Sequence, residues 1–339
     1  QTIYVMASLG MCGGVKVVLE HVHGLRKRGH DAQVWYIGAR PSWWSKPLGD
    51  GATHQFPNTD VLGASLQHLR GVNVVATFWE TAYWVSTTCD RETNRLMYFV
   101  QDIDGETYTE PGKQRQLGLG SYKLGLEHFC ESKWVQKKLE AAFGVKAPNV
   151  GIAIDHDVYS PAGIDRDLSR VFVQHRPHSG PRDLKGWSTS MATLVRLANI
   201  NPNASCVTFG AEGAPPTLPL SHIHVHKPSD AKLKELYSQA GVFLFTPRHE
   251  GFGLPAPEAM ACGTPVVSSY ADGNEEFCID GETCLMGRTP EQLAQGVNKL
   301  MSDATAWQEM SEAGLKVAST RRWELVFDRL EELYREVDA

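Results

Sequence analysis

Two glutamates, Glu250 and Glu258, stand eight residues apart around a glycine loop, in the run Arg248-His249-Glu250-Gly251-Phe252-Gly253-Leu254-Pro255-Ala256-Pro257-Glu258. Gly251 and Gly253 permit close approach of the backbone to a ligand. Pro255 suits the first turn of a helix. An apolar run at 242–245 precedes the loop. The order is therefore strand, glycine loop, helix N-terminus, which presents backbone N–H groups to an anion. Ionised carboxylates only accept hydrogen bonds. They cannot serve a phosphate, but they suit hydroxyl groups on either side of one, such as those of a sugar and a ribose. A competing reading takes Gly251-x-Gly253-x-x-Ala256 as a dinucleotide fingerprint, with Asp272 21 residues beyond Gly251. That reading makes the chain an NAD-dependent oxidoreductase. The polar Arg248-His249-Glu250 between strand and first glycine, and Pro255 inside the motif, count against it. A packed strand-to-helix corner with no ligand is the bland alternative, and the agreement of strand, glycine loop, helix start and flanking carboxylates counts against it.

Other patterns carry weaker signals. His222, His224 and His226 alternate at strand period and share one face. No fourth ligand is identifiable, so a partly exposed strand edge is expected there and no metal. Trp43 and Trp44 lie in a loop flanked by Pro41 and Pro47. Such a pair reads as core, as a sugar-stacking platform or as a membrane-interface anchor. Lys133, Lys137 and Lys138 beside Trp134 form a solvated helix face, with weak attachment to an anionic membrane surface as the alternative.

The elements that must position these residues follow an alternating pattern. Residues 2–7 are apolar and β-branched; Gly10, Gly13 and Gly14 make the turn; Val15, Val18, Leu19, Val22 and Leu25 recur at helical spacing. Arg26, Lys27 and Arg28 close that helix and Gly29 follows it. Residues 34–37 read as the next strand, which completes a βαβ unit. Strands are predicted near 72–77, 97–100, 129–130 and 148–154, with helices near 82–87, 121–127 and 132–142. A polar stretch at 155–170 reads as a linker. The pattern restarts with a strand at 171–174, a turn with Pro177, Gly180 and Pro181, and a helix over Met191, Leu194, Val195 and Leu197. Further strands are expected at 205–209, 222–225, 242–246 and 265–268, and helices at 230–239, 255–262 and 290–301. Thr289-Pro290-Glu291-Gln292 reads as a capping box. The last helix, 321–337, carries Trp323, Val326, Phe327, Leu330, Leu333 and Tyr334 on one face. The fold class is α/β with two doubly wound domains, at 1–155 and 171–318, a hinge at 156–170, and a closing helix in 319–339.

Composition fits this division. The chain has 339 residues, beyond the ~250–300 at which single cores stop growing. Hydrophobic residues are 42% and charged residues 21%, which excludes a disordered chain. Residues 1–150 carry 16 Lys and Arg against 14 Asp and Glu; the remainder carries 17 against 25. Neither half has the basic excess of a nucleic-acid binder. No apolar run approaches the ~20 residues of a membrane span. The seven cysteines are odd in number and scattered, without a C-x-x-C pair. They read as reduced thiols of a cytoplasmic protein, at most peripheral on the inner membrane surface. No signal peptide is visible, although the chain begins at Gln1 without Met.

The run from Glu250 through Glu258 and on to Ala259-Met260-Ala261-Cys262-Gly263-Thr264-Pro265-Val266-Val267 resembles the signature of retaining, nucleotide-sugar-dependent glycosyltransferases of family 4. Gly13-Gly14-Val15 and the helix to Arg28-Gly29-His30 resemble that family's N-terminal phosphate-facing segment. Residues 154–161 resemble its hinge, and Asp272-Gly273-Asn274-Glu275-Glu276-Phe277 with Asp280-Gly281 the stretch beyond the signature. Tyr98-Phe99-Val100-Gln101-Asp102 and Ala76-Thr77-x-Trp79 resemble a rhamnosyltransferase-like subgroup.

The resemblance implies two facing Rossmann-like domains (GT-B), with the closing helix packed back on the first. It implies transfer of a sugar from a nucleoside diphosphate to a hydroxyl of a glycan, lipid or small molecule, with retention and without a cofactor. It implies that Glu250 meets the donor sugar and Glu258 the ribose. Gly251, Phe252, Gly253 and Leu254 offer backbone N–H groups, and Gly13 and Gly14 face the diphosphate. Arg176 and Lys185 match the family's paired basic residues at a longer spacing than usual, with Arg182 able to replace either. Arginine and lysine neutralise a departing diphosphate. Many relatives carry a histidine where this chain has Gln101-Asp102, so Asp102 takes the polar role on the acceptor side or no such base exists. The Trp43-Trp44 pair is assigned to acceptor contact, because the family's first domain binds the acceptor. Asp102-x-Asp104 and Asp155-x-Asp157 match a metal-binding pattern of transferases of another fold, and no metal is expected here. A non-catalytic sugar- or nucleotide-binding module remains an alternative, opposed by the intact Glu250 and Glu258.

Overall fold

The first apolar run forms β1 (Thr2–Met6), buried along its whole length. Helix α1 (Gly13–Lys27) follows, buries Val15, Val18, Leu19, Val22 and Leu25, and places Arg26 and Lys27 at the negative end of its dipole. A computed structural model of the chain describes residues 1–39, 43–107, 112–177, 183–215 and 217–335. Within them the first unit continues with β2 (Ala32–Ile37), β3 (Thr53–Phe56), α2 (Thr59–Leu66), β4 (Asn73–Ala76), α3 (Trp79–Thr88), β5 (Arg95–Val100), α4 (Asp104–Thr107), α5 (Lys113–Gly120), β6 (Glu127–Cys130) and α6 (Lys133–Phe143). The strands form one parallel sheet in the order β3-β2-β1-β4-β5-β6.

The second unit contains β7 (Asp167–Gln174), α7 (Trp187–Ile200), β8 (Ser205–Gly210), β9 (Ser221–His226), α8 (Asp230–Gln239), β10 (Ala240–Phe245), α9 (Pro255–Ala261), β11 (Val266–Ser269), β12 (Leu285–Gly287), α10 (Pro290–Ser302) and α11 (Ala304–Ser319). Its sheet is also parallel, ordered β12-β11-β10-β7-β8-β9. Counted from the first strand of each unit, both sheets share the doubly wound order 3-2-1-4-5-6. Order reverses between β1 and β4 in one sheet and between β7 and β10 in the other. In such sheets ligands bind beyond the carboxyl ends of the strands at that reversal.

Contacts divide the chain into residues 1–152 with the segment from Trp323 on, and residues 153–322. The last helix, α12 (Trp323–Arg335), returns to the first sheet. Its Phe327 ring lies on Gly24 of α1, where a Cβ would come within 1.9 Å of the ring. Its Tyr334 hydroxyl meets that of Tyr4 at 2.6 Å, and its Asp328 pairs with Arg28 at 2.6 Å. No helix among the described residues is long and apolar enough to cross a membrane.

Several elements differ from the sequence reading. The stretch at 155–170 is packed on the second unit. Tyr159 is buried, and Arg166 donates to the carbonyls of Tyr237, Ala240 and Cys262. Strand β7 already begins at Asp167, paired with Ala240. Residues 148–154 make only an isolated bridge, Asn149 to Cys130, because Pro148 lacks an N–H and Gly151 turns at φ +82°. The expected helix at 121–127 is a single 3₁₀ turn that gives way to β6. Strand β3, Thr-His-Gln-Phe, escapes a hydrophobicity search because it is a half-exposed edge strand. The capping box is present, with Thr289 Oγ1 accepting from Gln292 N at 3.3 Å and Gln292 Oε1 from Thr289 N at 3.3 Å.

Candidate functional site

The richest arrangement in the second unit gathers at the reversal between β7 and β10. Strand β10 is wholly buried, and the chain leaves it through Thr246, Pro247, Arg248 and His249 to reach Glu250. On the β7 side the chain returns as a turn, residues 183–186, that starts α7. The two segments are laced together by backbone. Arg248 N–H donates to the Leu184 carbonyl at 2.8 Å, and Thr246 Oγ1 donates to the Gly186 carbonyl at 3.0 Å. Gly186 has φ +67°, and a Cβ there would stand 1.6 Å from the Thr246 carbonyl oxygen. Only glycine satisfies both conditions. Asp183 caps α7 by accepting from Trp187 N at 3.0 Å and Ser188 N at 2.9 Å.

This lacing brings Lys185 to Glu250. The ammonium of Lys185 lies 2.8 Å from both carboxylate oxygens, and the two side chains are 16% and 10% exposed. A pair this sheltered keeps its attraction while remaining open at one edge. The glycine loop rests on a second mould. Gly273 N–H donates to the Glu250 carbonyl at 2.9 Å, and a Cβ on Gly273 would come within 2.1 Å of the Gly251 oxygen. Asp272, in the left-handed region at φ +55°, accepts from His249 Nδ1 at 2.7 Å. Gly253 turns at φ +100° against the Phe245 ring. Phe252 points inward, its ring 5.1 Å from Phe277 and under the Arg321 guanidinium, so only its backbone is available to a ligand.

Leu254 is half-buried at the start of α9, and Glu258 is buried within it. Its charge reaches Tyr159, Tyr237 and Cys262. Burial, and next Glu258, hold both tyrosine hydroxyls well above their ordinary range and push the Cys262 thiol up to about 12. Arg176 stands half-buried two residues past β7, with no ion pair among the described residues. The structure does not join it to the Lys185–Glu250 pair. Arg182 lies outside the described residues.

In the first unit the expected residues gather around the carboxyl ends of β1 and β5. Gly14 sits under the Gln101 side chain, whose Oε1 would be 3.0 Å from a Cβ at that glycine. Gly13 opens α1 beside it. Trp43 Nε1 donates to the Leu9 carbonyl at 3.2 Å, and Trp44 meets Trp43 edge-on at 6.1 Å. Gln101 Oε1 and Trp44 Nε1 are buried with no hydrogen-bond partner among the described residues. Asp102 is buried and accepts from Ile103 N at 2.7 Å. Asp104 accepts from Trp79 N and Tyr98 OH, and burial, reinforced by Asp102, raises its carboxyl well above the usual range. The Asp102-x-Asp104 pair is thus built into the β5–α3 corner. His224 and His226 lie on edge strand β9 and meet the Glu212 carbonyl. No group of three or more His, Cys, Asp or Glu side chains suited to a metal occurs among the described residues.

Sequence reasoning missed the Trp-loop anchors, Lys46 to Glu20 at 2.6 Å and His23 Nδ1 to the Pro47 carbonyl at 2.7 Å. It also missed the His249–Asp272 pair, whose members lie 23 residues apart. The polar residues before Gly251, which spoil the dinucleotide fingerprint, are the only signal that pointed there.

Residues 217–317 match the family described as "Glycosyl transferases group 1". They form a glycosyl transferases group 1 domain. Glu250, the glycine loop and Glu258 lie inside this domain, and Lys185 and Arg176 precede it. The D-inositol 3-phosphate glycosyltransferase of Corynebacterium diphtheriae is 33% identical over 105 residues, 30% of this chain and 25% of that protein. The glycogen synthase of Mycobacterium tuberculosis is 28% identical over 185 residues, 48% of this chain and 44% of that protein. The matched stretches thus span a quarter to under half of these relatives. Solved structures align over nearly the whole chain. Sucrose-phosphate synthase from Thermosynechococcus elongatus superposes with a TM-score of 0.78 at 17% identity, covering 99% of both chains. Anabaena HepE, in complex with UDP and glucose, superposes with a TM-score of 0.77 at 16% identity, again covering 99% of both. The fold outside the group 1 domain is therefore also that of GT-B glycosyltransferases.

Proposed function

We propose that this chain transfers a sugar from a nucleoside diphosphate sugar to a hydroxyl acceptor, with retention at the anomeric carbon. The observation that carries the reading is the Lys185–Glu250 pair at the β7–β10 reversal, within reach of the Gly251–Gly253 backbone. In the reaction the bond from the anomeric carbon to the phosphate oxygen breaks, and a bond to the acceptor oxygen forms on the same face. The acceptor proton passes to the departing phosphate. Charge grows on that phosphate, and Lys185 is suited to stabilise it; the same role for Arg176 rests on its place just past β7 and not on a contact with the pair. Glu250 accepts hydrogen bonds from sugar hydroxyls and Glu258 from the ribose. Gly13 and Gly14 leave the start of α1 open to phosphate. The acceptor side is assigned to Gln101, Asp102, Trp43 and Trp44, which lie around the carboxyl ends of β1 and β5.

HepE holds UDP and glucose, which supports the same class of donor here. The oxidoreductase alternative needs Asp272 for a ribose, and that carboxylate is engaged by His249. A nucleotide-binding module without turnover is separated from an enzyme by assay. Glu250→Ala is expected to abolish transfer while nucleoside diphosphate binding stays within about threefold, because the carboxylate meets the sugar and not the diphosphate. Unchanged steady-state turnover would sink the assignment.

A further inference from the structure

Among the described residues, three that are not glycine hold φ in the left-handed region: Asp183 at +49°, Lys227 at +44° and Asp272 at +55°. Each lies in a segment leaving a strand of the second sheet, after β7, β9 and β11. Such a conformation is strained and persists only where surrounding contacts fix it. Asp183 commits its carboxylate to the start of α7. Asp272 commits its own to the segment that ends in Glu250. A carboxylate only accepts, so His249 Nδ1 donates to Asp272 Oδ2, at 2.7 Å. The next residue, Gly273, donates its N–H to the Glu250 carbonyl at 2.9 Å. Two consecutive residues thus grip two consecutive residues. The grip has a firm base. Asn274 is fully buried, donates to Ser268 Oγ at 2.9 Å and to the Ser269 carbonyl at 2.8 Å, and accepts from Ala271 N at 3.1 Å. Ser269 Oγ in turn donates to the Pro247 carbonyl at 2.5 Å.

We propose that Asp272, acting through His249, is a positioning residue for Glu250, which rests on the reading that Glu250 meets the donor sugar. Lys185 lies 2.8 Å from both Glu250 oxygens, so a sugar hydroxyl must compete with an ammonium for the carboxylate. A carboxylate on a loose backbone would follow Lys185 instead, and the glycines at 251 and 253 lend it no stiffness from the other side. The Asp272 grip supplies that stiffness. Holding the His249 ring and the Glu250 carbonyl together stops the peptide between them from rotating, and so sets the point from which the carboxylate reaches the sugar. The His249 and Asp272 side chains are 14% and 44% exposed, so their contact is not core packing.

The test is calorimetric titration of the intact chain with UDP-glucose, GDP-mannose and dTDP-rhamnose, each beside its own nucleoside diphosphate. The quantity read is the affinity for the sugar nucleotide relative to the diphosphate. Asp272→Gly removes the carboxylate without straining φ, and is expected to lower that ratio about tenfold. The diphosphate alone should bind within about threefold of wild type. His249→Ala should lower the ratio equally, and the double variant no further, because the two side chains act as one unit. Asp272→Asn tolerates the left-handed region and still accepts from Nδ1, so it should hold the ratio within about twofold. In a Glu250→Ala background, Asp272→Gly should change nothing further. An unchanged ratio in Asp272→Gly overturns the proposal and leaves the donor assignment standing. A further fall of the ratio in the Glu250→Ala background does the same, since Asp272 then acts by another route. If none of the three sugar nucleotides binds the wild-type chain, the donor assignment fails and the proposal falls with it.

Discussion

Gly186 is where the fold most tightly constrains the candidate site, and replacing it gives a quantitative test. It precedes α7 at φ +67°, and a Cβ would stand 1.6 Å from the Thr246 oxygen, 2.7 Å from the Thr246 carbonyl carbon and 3.4 Å from Pro247 Cα. All three atoms are backbone, so no side chain can swing aside. Two penalties then add in Gly186→Ala. Holding alanine in the left-handed region costs about 1–2 kcal/mol. Forcing the β10 exit away from the start of α7 costs about 1–3 kcal/mol more, as overpacking does elsewhere. Gly163, in the same unit at φ +66° with nothing within 4 Å of its Cβ position, isolates the first penalty. Both substitutions restrict the unfolded chain alike, and that contribution cancels in the comparison. Urea unfolding followed by tryptophan fluorescence should therefore show Gly186→Ala less stable than Gly163→Ala by about 1–3 kcal/mol at unchanged m-value. Because the same contact holds Lys185 against Glu250, transfer should fall at least about tenfold in Gly186→Ala and stay near wild type in Gly163→Ala. Equal stability of the two variants, within about 0.5 kcal/mol, would refute the claim that this backbone contact positions the pair.

Lys185→Met leaves the Glu250 carboxylate sheltered without its counter-ion, and is expected to destabilise the second unit by about 3 kcal/mol. Adding Glu250→Gln should restore most of that loss, read from denaturation midpoints. EDTA should leave transfer intact, since Asp104 is committed to Trp79 and Tyr98; loss of activity restored by added Mn²⁺ or Mg²⁺ would contradict this. His21 is fully buried, and burial lowers its pKa to about 3. Only the unfolded chain takes up that proton below pH ~6.5. The stability of the first unit should therefore fall as pH drops, by about 1.4 kcal/mol per unit from this residue between pH ~6.5 and 3. Denaturation curves at pH 7.5 and 5 should show the fall, and His21→Phe should flatten it.

The periodic segments were legible because burial writes itself into composition. Strands β1, β5 and β10 are buried throughout or nearly so and read as apolar runs, and α1 and α10 show helical spacing with recognisable ends. Edge strand β3 and short β12 were not legible, since an element that buries half its surface needs no apolar pattern. Arg166 illustrates the opposite error. Its surroundings read as a polar linker, yet its guanidinium satisfies three buried carbonyls, a role only the assembled unit reveals.

The same division holds at the candidate site. Glu250, the two loop glycines and Glu258 lie within nine consecutive residues, so their chemistry and order were determined by sequence alone: a strand, a flexible loop and a helix start can be arranged in few ways. What pairs with Glu250 was decided by the tertiary structure. Lys185 is 65 residues away in the chain, and Asp272 approaches His249 from 23 residues on the other side. The parallel sheet makes those distances short. Adjacent parallel strands must be joined by crossovers that return the chain to the same edge, so residues following β7 and residues following β10 emerge side by side at the carboxyl end.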